Sequence, residues 1–317
     1  MKKLIWFMAL IAMISNYAYG SCKNELELVF CNKKEAEKLL GHDDIMVHQW
    51  SQFDCDARLG KTGGNKRELV KFVTEQALDW TDAEKKAVSD AWQKLNRIVT
   101  AEGYNLPVPE EVKVMKTTMM EEGGAGGYTR EDFIVLQSGL DKSDPKDVEL
   151  LLAHELFHVL TRRCPAFRKD MYALIGFKIA DKEFEFPADL ADKRITNPDV
   201  NRFDSYATFN IQGKPTDCTM AIFSSKPYNG GSFFEYLTIG LLPVKDGKVV
   251  SENGKTKVYK LSDATDFFDK VGRNTDYVIN PEEVLAENFS MAIFGGNDFK
   301  SMKLIESIRE YLRNNRL

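Results

Sequence analysis

Positive charge is not in excess in this sequence. Its 43 lysines and arginines are outnumbered by 48 aspartates and glutamates, which gives a formal net charge of −5 at pH 7. A nucleic acid or an anionic membrane is therefore not indicated as a partner. Beyond the N-terminus, no stretch is long and apolar enough to span a membrane. The length of 317 residues and the hydrophobic share of 43% are typical of a globular protein with a sizeable core.

Cysteine is scarce, and its number is odd. The sequence contains Cys22, Cys31, Cys55, Cys164 and Cys218, and it lacks a C-x-x-C pair, which disfavours a thioredoxin-like redox role. In an oxidising compartment some of these residues are expected to pair, with at least one left over. The first three could link the N-terminal segment, and the last two could bond to each other. The sequence leaves this connectivity open.

The N-terminus has the pattern of a secretory signal peptide over residues 1–20. Lys2 and Lys3 precede an apolar run from Leu4 to Ile14, and small residues before the cleavage point end at Gly20. This predicts an exported protein, periplasmic or secreted after cleavage near Gly20. One alternative is an uncleaved anchor, which the shortness of the apolar run disfavours. The other is a lipoprotein attached at Cys22, for which the preceding residues are a poor match.

Histidine is also rare, yet two of the four histidines stand close together. His42 and His48 lie near the N-terminus, whereas His154 and His158 form the pattern H-E-x-x-H with Glu155. On a helix, residues four apart lie on the same face, so both imidazoles can point at one place. The glutamate is rotated by about 100° from the first histidine and flanks that place without binding there.

This pattern predicts a catalytic zinc ion with a general base beside it. Apolar residues surround the motif, so the helix should be buried. Two histidines and a glutamate buried without partners would be costly, and a metal ion removes that cost. The alternative is a pair of core histidines whose hydrogen bonds are satisfied within the protein.

A catalytic zinc ion needs a third protein ligand and an open position for water. No histidine follows the motif, and an extended H-E-x-x-H-x-x-G-x-x-H pattern is absent because Thr161 and Cys164 occupy its last two positions. Farther along, Glu283 and Glu287 are four residues apart, and the small Ala286 would allow their helix to approach the first one closely. One carboxylate would bind zinc, and the other would accept the free ring N–H of a ligand histidine. Glu283 is the preferred third ligand, with Glu287 as the alternative.

The same glutamates also have a purely structural interpretation. Asn280 looks like a helix N-cap, Pro281 occupies the favoured first position, and Glu283 then falls where a capping-box carboxylate lies. Acidic residues near a helix N-terminus are also common because they interact favourably with the helix dipole.

Taken together, H-E-x-x-H and the stretch Glu283-Val284-Leu285-Ala286-Glu287 resemble the gluzincin metallopeptidases. In those proteins two zinc histidines lie on one helix, and a glutamate from an E-x-x-A-D-like stretch lies on a second; Glu287 stands here in place of the usual Asp. The resemblance implies a zincin fold with a small, mainly antiparallel sheet. It also implies that an edge strand near Tyr128 to Leu136 pairs with an extended peptide substrate.

Hydrolysis also needs a hydrogen-bond donor for the oxyanion besides the metal ion. No histidine is available in the right region, so a tyrosine or an arginine is the natural source. Tyr206, which lies between the two motifs, is the first candidate, and Tyr128, Tyr228 and Tyr236 are alternatives. Each of them is also compatible with a half-buried strand tyrosine that has no catalytic role.

The overall pattern predicts an α+β protein. After the signal peptide, residues 21–110 read as a mainly helical N-terminal segment, and residues 111–317 read as a zincin-like catalytic region with a β-rich insertion at about 204–260. Turns of the hairpin type are expected at Asp246-Gly247 and Asn253-Gly254. Other predicted elements are helices at Asn32–Leu40, Arg67–Leu78, Thr81–Glu102, Ala166–Ile179, Pro281–Phe294 and Asp298–Leu312, and strands at Val112–Met120 and Phe133–Leu136.

The function that these patterns favour is that of an exported zinc metallopeptidase. Its partner would be a peptide or protein substrate, its cofactor one catalytic Zn²⁺, and its general base Glu155. The runner-up is a non-catalytic envelope binding or assembly protein that keeps the zinc site as a structural brace. A third possibility is hydrolysis of a non-peptide amide or ester with the same residues. The oligomeric state stays open.

Overall fold

Helices and strands are both abundant in residues 27–315, the part of the chain that the computed structural model describes. The mixed α+β character is therefore confirmed, whereas the predicted signal peptide and Cys22 lie outside the described residues. The helices are α1 (Lys33–Leu40), α2 (Ile45–Gln49), α3 (Gln52–Leu59), α4 (Lys66–Glu75), α5 (Asp82–Ala101), α6 (Pro145–Arg163), α7 (Pro165–Leu174), α8 (Ala188–Ala191), α9 (Phe267–Val271), α10 (Pro281–Phe294) and α11 (Met302–Asn314). The strands are β1 (Glu27–Phe30), β2 (Ala77–Leu78), β3 (Glu111–Thr117), β4 (Gly127–Arg130), β5 (Phe133–Gln137), β6 (Phe177–Ile179), β7 (Ser205–Ile211), β8 (Lys214–Ser224), β9 (Leu237–Lys245), β10 (Lys248–Val249), β11 (Ser251–Glu252) and β12 (Lys255–Thr256).

The sheet beside α6 is mixed in direction. Its strand order is β1-β3-β5-β4, and β2 also pairs with β3. The pairs β1–β3 and β3–β5 are parallel, whereas β4 runs antiparallel to β5 at the edge of the sheet. The prediction of a mainly antiparallel sheet is therefore wrong for this part of the molecule. Parallel neighbours need long crossover connections, and five helices separate β1 from β3 in the chain.

A second sheet is antiparallel throughout and has the order β10-β9-β8-β7-β6. All five strands come from the chain between α6 and α10, and all except β6 lie where the sequence predicts the β-rich insertion. Both predicted hairpin turns are present, and Asp246 and Asn253 adopt the left-handed backbone that such turns require, as do the glycines after them. The helix predicted for Ala166–Ile179 is only partly right. Gly176 has φ +76°, which ends α7 and allows the chain to continue as β6.

Two buried helices, α6 and α10, form the centre of the molecule. Asp144 caps α6 and Asn280 caps α10, and in each helix a proline follows the cap at the favoured first position. The helices pack against each other and against α5 within one large hydrophobic core. Most residues of both helices are buried, yet in the described residues no helix combines the length and hydropathy needed to cross a membrane.

All four cysteines within the described range are buried free thiols. A disulfide between Cys164 and Cys218 is therefore not formed, and Cys31 is not bonded to Cys55. Burial raises the pKa of Cys55 to about 11 and that of Cys218 to about 12. These thiols accordingly behave as apolar core side chains and not as reactive groups.

Candidate metal centre

The two histidines of α6 point their Nε2 atoms towards one carboxylate oxygen of α10. His154 Nε2 lies 3.1 Å from Glu283 Oε2, and His158 Nε2 lies 3.7 Å from the same atom. Ligand atoms of all three residues fall within 4.8 Å of one another. The one-turn spacing on α6 and the facing position on α10 therefore bring together the three residues that the sequence predicts as metal ligands.

The spacing of these atoms fits a small tetrahedral metal ion. Two ligand atoms of zinc, each about 2.0–2.1 Å from the metal, are about 3.3 Å apart. His158 Nε2 is buried, and no group within the described residues forms a hydrogen bond with it. Such a buried nitrogen is costly unless it has a partner, and a metal ion provides one. Two imidazole nitrogens and one carboxylate form the ligand set of many catalytic zinc sites.

The other ring nitrogen of each histidine also meets a carboxylate from α10. His154 Nδ1 lies 3.1 Å from Glu287 Oε1, and His158 Nδ1 lies 3.1 Å from Glu282 Oε1. These contacts fix the orientation of the rings and direct Nε2 towards the centre. Glu287 is thus found where the sequence predicts a partner for a histidine N–H. The sequence does not predict this role for Glu282, which in the sequence is only one of several acidic residues near a helix N-terminus.

The charge of these carboxylates favours a cation at the centre. Burial by itself lowers the pKa of His154, but Glu283 and Glu287 outweigh that effect and hold it well above its usual value. Burial raises the pKa of Glu283, yet its contacts with His154 and His158 bring it below the usual range. A divalent metal ion would satisfy the same atoms with both rings neutral.

The structural alternative for Glu283, a capping-box carboxylate, is not used in this helix. The side chain of Asn280 alone caps α10 by accepting the N–H of Glu282 at 3.0 Å. Glu283 Oε1 instead accepts a hydrogen bond from the side-chain amide of Asn197, and its other oxygen faces the histidines. Its side chain is therefore directed to the candidate metal centre and not to the helix end.

Glu155 lies beside the centre, next to the edge strand β4. Its Oε2 accepts a hydrogen bond of 2.8 Å from Thr129 Oγ1, and its Oε1 lies close to Gly127. Burial, followed by the charge of Asp199, raises the pKa of Glu155 to about 7. A carboxyl group with this pKa can accept and return a proton near neutral pH, as a general base must.

Asp199 is a second acidic residue at the centre, and its role was not predicted from the sequence. Its Oδ1 lies 3.9 Å from His158 Nε2 and accepts the N–H of Thr129 at 2.6 Å. Burial and the neighbouring Glu283 raise the pKa of Asp199 well above its usual value. In the sequence, Asn197-Pro198-Asp199 has the composition of a turn, and nothing local connects that turn with α6.

The structure places Tyr206 in a different cluster from the residues of the centre. Strand residues alternate between two faces. Tyr206 on β7 packs against a separate cluster of buried hydrophobic side chains, in which its ring contacts Phe184. The alternatives use their hydroxyl groups elsewhere. Tyr128 donates to Glu121, Tyr228 donates to Gly231, and the hydroxyl of Tyr236 contacts Asn229 and Gly230.

Tyr277, a tyrosine that no sequence pattern marks, precedes α10 and is exposed. The carboxylates of the site act on it electrostatically. Partial desolvation of its phenol, together with the charges of Glu283 and Asp199, raises the pKa of Tyr277 above its usual value. The only available sequence signal was its position six residues before Glu283.

Comparisons with protein-family models, with curated proteins and with solved structures find no match to this chain.

Proposed function

We propose that this protein is a zinc-dependent metallopeptidase. The observation that carries the proposal is the convergence of His154 Nε2, His158 Nε2 and Glu283 Oε2. Glu155 lies beside them, in a second group with His158 and Asp199. This division into three ligands and one adjacent base is what a hydrolytic zinc site needs. The resemblance to gluzincins and the antiparallel edge strand β4 next to α6 support a zincin-like fold.

Each residue of the centre has a task in this proposal. Bound zinc would supply a Lewis acid that activates water and polarises the carbonyl group of the scissile bond. Glu155 accepts the proton from water and returns it to the leaving amine, and Thr129 holds the carboxylate in position. Glu287 and Glu282 fix the tautomers of His154 and His158.

Tyr277 is the donor that we propose for the oxyanion. Its phenol is protonated at neutral pH, because partial desolvation and nearby carboxylates raise its pKa, so it can donate a hydrogen bond. The site also has access to solvent on this side, since Tyr277 and Glu287 are both partly exposed. The proposal assigns Tyr277 the role that the sequence gave to Tyr206.

The proposed site of action is outside the cytoplasm. Support comes from the sequence alone, in which Lys2 and Lys3 precede an apolar run that ends before small residues near Gly20. A peptide or protein substrate outside the cytoplasm is the natural partner for such an enzyme.

The test is the variant Glu155→Gln, assayed on a denatured protein substrate. Removal of the general base is expected to lower the hydrolysis rate by on the order of 10³-fold. Zinc content should remain at about one ion per chain, because Glu155 is not among the proposed ligands. Asp147→Asn, an exposed change in the first turn of the same helix, is the control and should keep full activity. Unchanged hydrolysis in Glu155→Gln would contradict the proposal, and hydrolysis of small esters alone would favour the non-peptide alternative.

A structural zinc brace is the second candidate, and one observation favours it. Asp199 Oδ1 lies 3.9 Å from His158 Nε2, so a fourth protein ligand is close to the centre. A site closed permanently by four protein ligands is typical of structural zinc. On that interpretation neither wild-type protein nor Glu155→Gln would hydrolyse peptides, and removing zinc would lower thermal stability.

A further inference from the structure

An irregular part of the chain, residues 195–202, crosses the candidate metal centre and is called the crossing segment below. It touches three parts of the site. The side-chain amide of Asn197 donates to Glu283, and Arg162 on α6 donates to the carbonyl of Pro198 at 2.6 Å. Asp199 accepts the N–H of Thr129 on β4. The crossing segment is thus bonded to a proposed metal ligand, to the histidine helix and to the edge strand.

The crossing segment occupies the position that a substrate strand would need. Within the described residues, β5 is the only strand paired with β4, so the other edge of β4 is the natural place for an added peptide strand. Such a strand would place a carbonyl oxygen on the N–H of Thr129. Asp199 Oδ1 already accepts this N–H at 2.6 Å, and Thr129 is fully buried. A peptide cannot pair with β4 while the crossing segment stays there.

The carboxylate of Asp199 also lies near the ring nitrogen of His158 that is proposed to bind the metal ion. Asp199 Oδ1 is 3.9 Å from His158 Nε2, the nitrogen that has no hydrogen-bond partner and that also faces Glu283. Carboxylate oxygens bind zinc readily, and Asp199 lies within ligand distance of His158, the histidine that the two possible ligand groups, His154–His158–Glu283 and Glu155–His158–Asp199, have in common. One aspartate therefore competes both for the open coordination position and for the edge of the sheet.

The N-terminal helices hold the crossing segment at both ends. At one end, Thr196 donates its N–H to Asp54 at 3.0 Å, and Arg58 donates to the carbonyl of Thr196 at 2.7 Å. At the other end, the side chain of Gln49 donates to the carbonyl of Asn201 at 3.0 Å. These anchors belong to α2 and α3, not to the helices that carry the metal ligands.

We propose that Asp199 is a displaceable fourth ligand and that this structure is the closed, inhibited form of the enzyme. The inference rests on the proposed function and adds its regulation. In the closed form Asp199 blocks the metal and the edge strand together, and α2 and α3 hold the crossing segment in place. Movement of this segment frees both positions at once. A substrate therefore gains access only after the contacts of Asp199 are broken.

The test measures access to the metal on the purified full chain loaded with Co²⁺, by titration with acetohydroxamic acid followed by visible absorption. The variant Asp199→Ala is expected to bind this small chelator at least about tenfold more tightly than wild type, since no internal carboxylate competes with it. Asp199→Asn keeps an oxygen for the N–H of Thr129 but loses the charge, so its affinity should fall between the two. Asp199→Asn also provides the test of the proposal if the alanine variant does not fold. Asp132→Ala, which removes an exposed aspartate paired with Arg163, is the control and should match wild type.

The outcomes separate the inference from the proposed function. Tighter chelator binding and an altered Co²⁺ spectrum in both Asp199 variants support the inference. Equal affinities and equal spectra in wild type and both variants overturn it, while Co²⁺ binding itself keeps the proposed metal centre intact. If neither wild type nor the variants bind Co²⁺, the metal centre is wrong and the inference falls with it.

Discussion

Three glutamates of α10 have three different positions around the two histidines. Glu283 faces both Nε2 atoms, Glu287 meets Nδ1 of His154, and Glu282 meets Nδ1 of His158. Glu283 and Glu287 lie one turn apart, and Glu282 is rotated by about 100° from Glu283. The histidines themselves are one turn apart on α6. The one-turn spacing of the glutamates on α10 therefore matches the one-turn spacing of the histidines on α6. Each imidazole ring has a carboxylate near each of its two nitrogens.

The contact between Glu282 and His158 leads to a prediction at the scale of single residues. Glu282 is buried and also accepts hydrogen bonds of 2.5 Å from Thr161 and from Tyr172. Glu282→Gln removes the charged acceptor of the ring N–H, so zinc affinity is expected to fall by about 10- to 100-fold. Competition with a chromogenic chelator measures this affinity.

A matched comparison for that prediction is Tyr172→Phe. It removes one hydrogen bond from Glu282 but leaves the contact with His158 in place, so the loss of zinc affinity should be smaller than for the glutamine variant. If Glu282→Gln binds zinc as tightly as wild type, this carboxylate does not position the histidine.

At the residue scale, the sequence predicts those parts of the site that local spacing determines. His154, Glu155 and His158 follow from one helix turn, and Glu283 follows from the need for a third ligand and from helix phase. Asp199 and Tyr277 could not be predicted in this way. They reach the site from irregular segments whose positions depend on contacts across the whole fold, and no spacing in the sequence marks them.

The close approach of β4 to α6 is a feature of elements, and Gly127 makes it possible. A Cβ atom at this position would lie 3.1 Å from Glu155 Oε1 and 3.1 Å from the carbonyl of Val135. Gly127→Ala is therefore expected to displace the proposed general base by a few tenths of an ångström and to lower the hydrolysis rate by about tenfold. Zinc content should not change.

The neighbouring glycine gives a control for that prediction. A Cβ atom at Gly126 meets only Leu151, at 3.7 Å, which is an ordinary contact. Gly126→Ala should therefore keep its activity. If the two alanine variants have equal hydrolysis rates, the spacing between β4 and α6 does not determine the position of Glu155.

Among the elements, those with local signals are predicted best. The cap at Asn280 and the two hairpin turns are present where the sequence indicates them. Whether two strands pair in parallel or antiparallel has no such local signal, because it depends on how the chain crosses over between them. The parallel pairing of β1 with β3 joins residues that are more than eighty positions apart, and no local pattern indicates it. The short strand β6 is not predicted either, because its partner β7 lies more than twenty residues farther along the chain.

In the whole molecule, the first part of the chain is packed into the same structure as the candidate site. Strand β1 completes the mixed sheet, α5 packs on α6, and α2 and α3 hold the crossing segment. The N-terminal segment therefore takes part both in the stability of the core and in the proposed closure of the site. The two roles can be tested separately, because they depend on different residues.

The ion pair between Glu84 on α5 and Lys116 on β3 tests the stability role. Glu84 also accepts hydrogen bonds from Gly139 and Thr81. Burial by itself raises the pKa of Glu84, but these contacts lower it from 4.5 to about 2. Because the folded pKa lies below the unfolded one, the stabilisation is complete above pH 4.5 and is lost as the pH falls towards 2.

Glu84→Gln should therefore reduce the free energy of unfolding at pH 7 by about 3 kcal/mol, since Lys116 remains buried without its charged partner. Urea unfolding of wild type and variant between pH 7 and pH 3 measures the difference, which should shrink below pH 4.5. Glu68→Gln removes an exposed pair with Lys61 and should change stability by less than about 1 kcal/mol at any pH. A difference between wild type and Glu84→Gln that stays constant down to pH 3 would show that the charge of Glu84 does not stabilise the fold. The attachment of α5 to the sheet would then depend on apolar packing alone.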